Sequence, residues 1–319
     1  MNHNDDGYAA MLLTMALSPD REEYARPYSA QELTALENAV RNTAYRRIGK
    51  LLNLDISGLM IYLDMSEEAA YRAYTLLHRT VQLSYALEGF ARQGIEVITG
   101  YDGSYPARLK RKLSQLAPPF FYCCGSDALL SKPAVAILGI GGVKTGADVR
   151  EAVAYVVENA VSRGYTIITG GEMGVSRMAA TLAVEKGGCF LDVLGGGLRA
   201  HIDSDGVAEW IALERAAVIA TEHPDAMFTL SHGVARNRIV FSLADAAFVF
   251  NTDGRRGEAE ALQNRYCDWI YAWEGCPQNQ PLFARGAIPM GDLKALDFDR
   301  LCRHWNSSAA EQINMFDLF

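Results

Sequence analysis

A chain of 319 residues is long enough for one sizeable α/β core and a smaller domain, and half of it is apolar, as in an ordinary soluble globular protein. The formal net charge of −8 excludes a surface coated in basic residues, so any contact with nucleic acid has to be local. No apolar run reaches the length of a membrane span, and the opening Met1-Asn2-His3-Asn4-Asp5-Asp6 is no signal peptide; Cys123, Cys124, Cys189, Cys267, Cys276 and Cys302 have neither paired metal-ligand spacing nor a dense framework. The expectation is a cytoplasmic protein with reduced thiols and no metal site.

Residues 1–93 read as a small helical domain. Ser29-Ala30-Gln31-Glu32 has the form of a capping box, with Leu33, Leu36 and Val40 on one helical face. Ser66-Glu67-Glu68-Ala69 opens a further helix, in which Tyr71, Tyr74, Leu77 and Val81 are spaced as a buried stripe. A strand at Gly94–Thr99 follows, then a turn, and then Arg108, Lys110, Arg111 and Lys112 on a short helical piece that reads as a solvated face. Pro118-Pro119 leads into an apolar strand at Phe120-Phe121-Tyr122.

From Ala134 the pattern changes to short β-branched runs alternating with helical segments, the signature of parallel βαβ units. Strands are expected at 134–138, 165–168, 189–194, 216–220 and 246–250, and Trp269–Trp273 reads as the last strand. Helices are expected over 147–163, 174–187, about 209–215, a segment around Arg236-Asn237-Arg238 reaching Ala244, and 258–265; residues 225–233 read as loop. The fold class is α/β: a Rossmann-like parallel sheet over 94–275 with helices on both faces, preceded by the helical domain and followed by an extension and tail over 276–319.

Four of these strands end in glycine turns: Gly139-Ile140-Gly141-Gly142, Gly170-Gly171-Glu172-Met173-Gly174, Gly195-Gly196-Gly197 and Gly254-Arg255-Arg256-Gly257. Parallel strands place their carboxyl ends at one edge, so the turns are expected around one pocket with Arg236 or Arg238 at its rim. Glycine lets the backbone approach a ligand closely, helix N-termini favour anions, and arginine forks match phosphate. The first turn has Lys144 where a dinucleotide fingerprint needs its third glycine, and no acidic residue ends the second strand, so NAD binding is not expected.

Together these residues resemble the DNA-processing protein A family (DprA, also called Smf). The resemblance covers about 95–275 and rests on Tyr105-Pro106-Ala107-Arg108-Leu109, Gly125-Ser126 with Leu129-Leu130, Val135-Ala136-Ile137-Leu138-Gly139, Gly164-Tyr165-Thr166-Ile167-Ile168-Thr169-Gly170, and above all Arg236-Asn237-Arg238-Ile239. It implies a non-catalytic protein that binds single-stranded DNA and assists a RecA-type recombinase in uptake, recombination or repair; a homodimer is one option, and the sequence leaves the oligomeric state open. The glycine turns and the cations beside them make Gly139, Gly141, Lys144, Gly170, Gly171, Gly196, Arg236, Asn237, Arg238, Gly254, Arg255 and Arg256 the candidate phosphate-binding residues, with no cofactor and no catalytic residue expected. The chain departs from the family pattern in three places. Ile140-Gly141 stands where Ser-Arg is usual, Gly174-Val175-Ser176-Arg177-Met178-Ala179-Ala180 lacks the aspartate and histidine, and Asp253-Gly254-Arg255-Arg256-Gly257 replaces a Ser-Gly-Ser turn.

The rival reading is a nucleotide sensor or a Lonely-Guy-type nucleoside monophosphate phosphoribohydrolase. Glu258 and Glu260 sit where those enzymes carry a catalytic glutamate, although a first-turn position on a helix explains both carboxylates as well. Gln312–Phe319 is apolar and aromatic, and resembles peptides that hold a sliding clamp; docking onto the protein's own core is the alternative.

Overall fold

A computed structural model describes residues 3–17, 25–139, 146–204, 206–252, 257–293 and 296–303. Among the described residues the N-terminal region has five α-helices: α1 (Asp5–Thr14), α2 (Ala30–Arg41), α3 (Ile56–Leu63), α4 (Glu67–Leu77) and α5 (Thr80–Ala91). Side-chain caps open four of them. Asn4, Asp55 and Ser66 each accept a backbone N–H of the first turn, and Ser29 and Glu32 form the reciprocal capping box. Leu33, Leu36 and Val40 are buried as the spacing predicts.

The stripe expected over Tyr71, Tyr74, Leu77 and Val81 is buried only in part: Leu77 is in the core and Tyr74 packs against it. Tyr71 is 61% exposed and Val81 63%, while Ala70, Ala73, Leu76 and Leu77 carry the buried face of α4. Ala70 and Ala73 let neighbouring helices approach closely, and Tyr71 turns outward. The helix also ends at Leu77, so Val81 belongs to α5 and not to the same stripe.

The rest is built on one sheet of nine strands: β1 (Ile95–Thr99), β2 (Phe120–Gly125), β3 (Ala134–Leu138), β4 (Thr166–Thr169), β5 (Phe190–Leu194), β6 (Ala216–Ala220), β7 (Ala246–Val249), β8 (Ile270–Trp273) and β9 (Ile288–Met290). Their order is β1-β2-β6-β5-β4-β3-β7-β8-β9. All pairs are parallel except β1–β2 and β2–β6, so β1 runs in the same direction as the parallel strands. β9 corrects the expectation that Trp273 ends the sheet; three residues containing Pro289 carry too little pattern to read as a strand, and an edge tolerates the missing N–H.

Alternate residues of the parallel strands feed two cores. Val135, Ile137, Ile167 and Phe190 pack under α7 (Ala147–Ser162) and α8 (Val175–Glu185). Ala136, Leu138, Ile168, Leu191 and Val193 pack under α6 (Ala107–Leu113) and α11 (Leu230–Leu243). Short helices α9 (Arg199–Ile202) and α10 (Val207–Ala212) separate β5 from β6, and α12 (Glu258–Gln263) and α13 (Gln280–Phe283) flank β8. α1 and α5 close over β1, β2 and β6, so Met11, Leu12 and Phe90 share a core with Val97 and Tyr122. The basic run on α6 is an anchor as well as a surface: Arg108 donates to the Leu243 carbonyl at the end of α11 and pairs with Asp245, and Lys112 faces Asp268 at 3.6 Å.

Candidate functional site

β3 has β4 on one side and β7 on the other, so the strand order reverses there, and ligands of open α/β sheets bind outside the carboxyl ends at such a point. Gly139 ends β3 at that crevice. A Cβ there would lie 2.6 Å from Asn251 Oδ1 beyond β7 and 2.7 Å from Val175 Cβ on α8, so only glycine lets these three segments meet. Gly170 and Gly171 follow β4, with Gly171 at φ +70°. Gly195 and Gly196 follow β5 and lie under the loop that carries Phe228. The turns after β3, β4 and β5 are therefore neighbours along one edge. Gly141, Lys144, Gly254, Arg255 and Arg256 lie outside the described residues.

Arg236 is not at the rim. It is 2% exposed, and its guanidinium donates from Nη1 to the carbonyl oxygens of Gly170 at 2.5 Å and Val193 at 3.5 Å, while Nη2 pairs with Glu172 at 3.0 Å. A Cβ on Gly170 would fall on Nη1. Arg236 is thus a strut beneath the glycine turns: a planar fork inserted from α11 that fixes the backbone after β4. Asn237 is buried beside it. Arg238 is the half-exposed member of the trio, and its Nε donates to Glu260 Oε1 at 2.8 Å. That pair also occupies one of the two carboxylates of the hydrolase reading, while Glu258 is buried at the start of α12.

α11 begins earlier than its sequence suggests. Thr229 caps it by accepting the His232 N–H, so residues 230–233 are helix and not loop. The earlier start carries Arg236, Asn237 and Arg238 on a rigid element.

A second buried network was hidden in the sequence. Asp192, in the middle of the otherwise apolar β5, is 1% exposed. Its Oδ1 accepts from the Thr169 hydroxyl, and its Oδ2 lies 2.8 Å from His201 Nε2. Thr169 Oγ1 accepts in turn from the Gly171 N–H at 3.0 Å, so that amide points inward. A chain of polar contacts therefore runs from α9 through β5 and β4 into the glycine turn. A lone aspartate in Phe190-Leu191-Asp192-Val193-Leu194 was the available signal. Around the turns, Met173, Met227, Phe228 and Leu230 are exposed, and the Phe228 ring is a face of the kind on which nucleobases stack.

The family model of DNA recombination-mediator protein A matches residues 96–266. The chain belongs to that family. DNA processing protein A of Streptococcus pneumoniae superposes with a TM-score of 0.65 at 18% identity, over 92% of this chain and 97% of that one. The Helicobacter pylori protein, in a structure concerned with its single-stranded DNA binding mode, gives a TM-score of 0.51 at 19% identity over 66% and 96%. Likeness at these identities is likeness of fold. No curated protein matches the chain. The family match starts within β1 and ends before β8, so the helical region and the strands β8 and β9 lie outside it.

Proposed function

We propose that this protein binds single-stranded DNA through the strand's phosphates at the carboxyl edge of the sheet, without catalysing a reaction, and that it assists a RecA-type recombinase in the cytoplasm. The observation that carries the reading is family membership combined with glycine turns gathered where the strand order reverses. Backbone at Gly139, Gly170 and Gly196 would approach the phosphates, with Gly171, its N–H turned in to Thr169, shaping the turn, Arg238, Lys144, Arg255 and Arg256 supplying charge, and Gly141 and Gly254 the room for close approach. Arg236 and Asn237 would act beneath the strand by holding the turns. Single-stranded DNA comes to this chain from the Helicobacter pylori relative, whose binding mode bears that name.

Homodimerisation and clamp binding by residues 312–319 belong to the same proposal; the tail lies outside the described residues. A peptide of residues 308–319 titrated against the host's clamp tests the second point, with Leu318→Ala and Phe319→Ala as controls. For the DNA site, the Arg238→Ala/Arg255→Ala/Arg256→Ala variant should lose affinity for a single-stranded oligonucleotide. Its log–log salt slope should fall by about 0.7 per lost phosphate contact. An unchanged slope removes these arginines from the interface.

A further inference from the structure

A cavity of about 530 Å³ that the sheet's role leaves unexplained lies between the N-terminal helices and the β1 end of the sheet. On one side are Arg41, Arg46 and Arg47, from the end of α2 and the segment after it; on the other is Lys110 of α6. The carboxylates in its lining are Asp6 and Glu37, and both are engaged. Asp6 accepts from Arg47 Nε at 2.7 Å and from the Gly49 N–H at 2.8 Å, and Glu37 accepts the Tyr101 hydroxyl. Among the described residues neither Arg41 nor Arg46 makes an ion pair. Lys110 is held at the wall by the Gly100 carbonyl, with its ammonium 5.4 Å from the centre of the Tyr101 ring and 5.6 Å from that of Tyr105. A cleft with excess positive charge is notable on a chain of net charge −8. Arg46 and Ser114, which both line it, are non-glycine residues held in the left-handed region, at φ 63° and 51°.

The position of this cleft gives it meaning. Because β1 runs parallel to β6, Gly100 and Tyr101 emerge at the same edge of the sheet as the glycine turns. Three strand steps separate β1 from β5 and four separate it from β4, or roughly 14 and 19 Å at ~4.8 Å per step. We propose that the cleft is a second anchoring point for the phosphates of the strand held at the glycine edge, so that one single strand runs from β3–β5 across β6 and β2 to the arginines after α2. The inference rests on the function proposed above and extends it to residues outside the family match.

The test compares the full chain with Arg41→Ala/Arg46→Ala and, on the opposite wall, with Lys110→Gln. Fluorescence anisotropy is read with single-stranded oligonucleotides of about 4 and about 15 nucleotides, lengths that bracket a local and an extended site. Arg41 and Arg46 are exposed, so the double variant should keep the wild-type melting curve. Expected is an unchanged affinity for the short strand and a loss of roughly tenfold for the long one, with the salt slope for the long strand lower by about 1.4, the value for two lost contacts. Lys110→Gln should shift the long-strand affinity in the same direction. Equal affinity and slope for the long strand in variant and wild type overturn the proposal. A deoxynucleoside monophosphate and inorganic phosphate are titrated in parallel. Loss of their binding in the double variant, with long-strand binding intact, assigns the cleft to a free nucleotide and also overturns it. A wild type that binds neither oligonucleotide overturns the function proposed for the glycine edge, a result distinct from loss of length dependence alone.

Discussion

Replacing Arg236 separates a residue that touches DNA from one that holds the site in shape. Arg236→Met keeps much of the side-chain volume and removes the charge and every donor. The Gly170 and Val193 carbonyls lose a charged donor, and Glu172, whose side chain is 22% exposed, loses its ion pair with Arg236. Breaking a buried pair costs about 3–5 kcal/mol, and because water reaches Glu172 the lower end, about 3 kcal/mol, applies. Arg236→Lys retains the charge but not the fork, and should lose about 1.5–3 kcal/mol, the worth of one charge-assisted bond. Urea unfolding followed by circular dichroism measures both, with an unchanged m-value expected because the core stays intact. Binding of a single strand should weaken as the turn after β4 relaxes, yet its salt slope should stay at the wild-type value. A stability within about 0.5 kcal/mol of wild type, the range of ordinary surface substitutions, together with a lower salt slope, would refute the strut assignment and put Arg236 against the phosphates.

Three further outcomes follow from the packing. Gly170→Ala drives a methyl group into the pinned guanidinium of Arg236, and should destabilise by about 1–3 kcal/mol in the same urea assay; a neutral result would mean that the arginine is free to move. Glu32 is held at a pKa of about 2 by Arg72, helped by the Ser29 N–H, so its contribution is complete above the ordinary carboxylate value and drains away as pH falls from about 4.5 towards 2. Glu32→Gln should therefore cost about 1 kcal/mol at pH 7, a value discounted for the partial exposure of the pair, and should flatten the stability profile across that acid window; an unchanged profile would disprove the assignment. Burial raises the thiol of Cys267 to about 12 and also pushes Cys123 up, so iodoacetamide at pH 8 should label the half-buried Cys189 and Cys276 in the native protein well before either; early labelling of Cys267 would contradict its burial.

The sheet was legible because its strands are continuous apolar runs, such as Ala134–Leu138 and Ala216–Ala220, which period and length separate from helices. The glycine turns were legible for the same reason: each interrupts such a run at its carboxyl end. What the sequence could not convey was direction. Arg236 and Arg238 are two residues apart on one helix, roughly 200° around its axis, so one lies buried against the turns while the other reaches Glu260. Nor could it convey non-local partners: Thr169, Asp192 and His201 lie on three elements and meet only when β4 pairs with β5. The cleft beside β1 was invisible because Arg41 and Arg46 lie far along the chain from Lys110, whose basic run reads in sequence as a solvated face.

The central claim is that this chain binds single-stranded DNA through phosphate contacts and performs no chemistry on nucleotides. Anisotropy of a labelled oligonucleotide, titrated with the full chain at several salt concentrations, tests it most directly when run beside chromatography of nucleoside monophosphates incubated with the protein. The account predicts saturable binding that weakens linearly on a log–log salt plot, with every monophosphate recovered intact. No binding at high micromolar protein, or release of free base from a monophosphate, would contradict it.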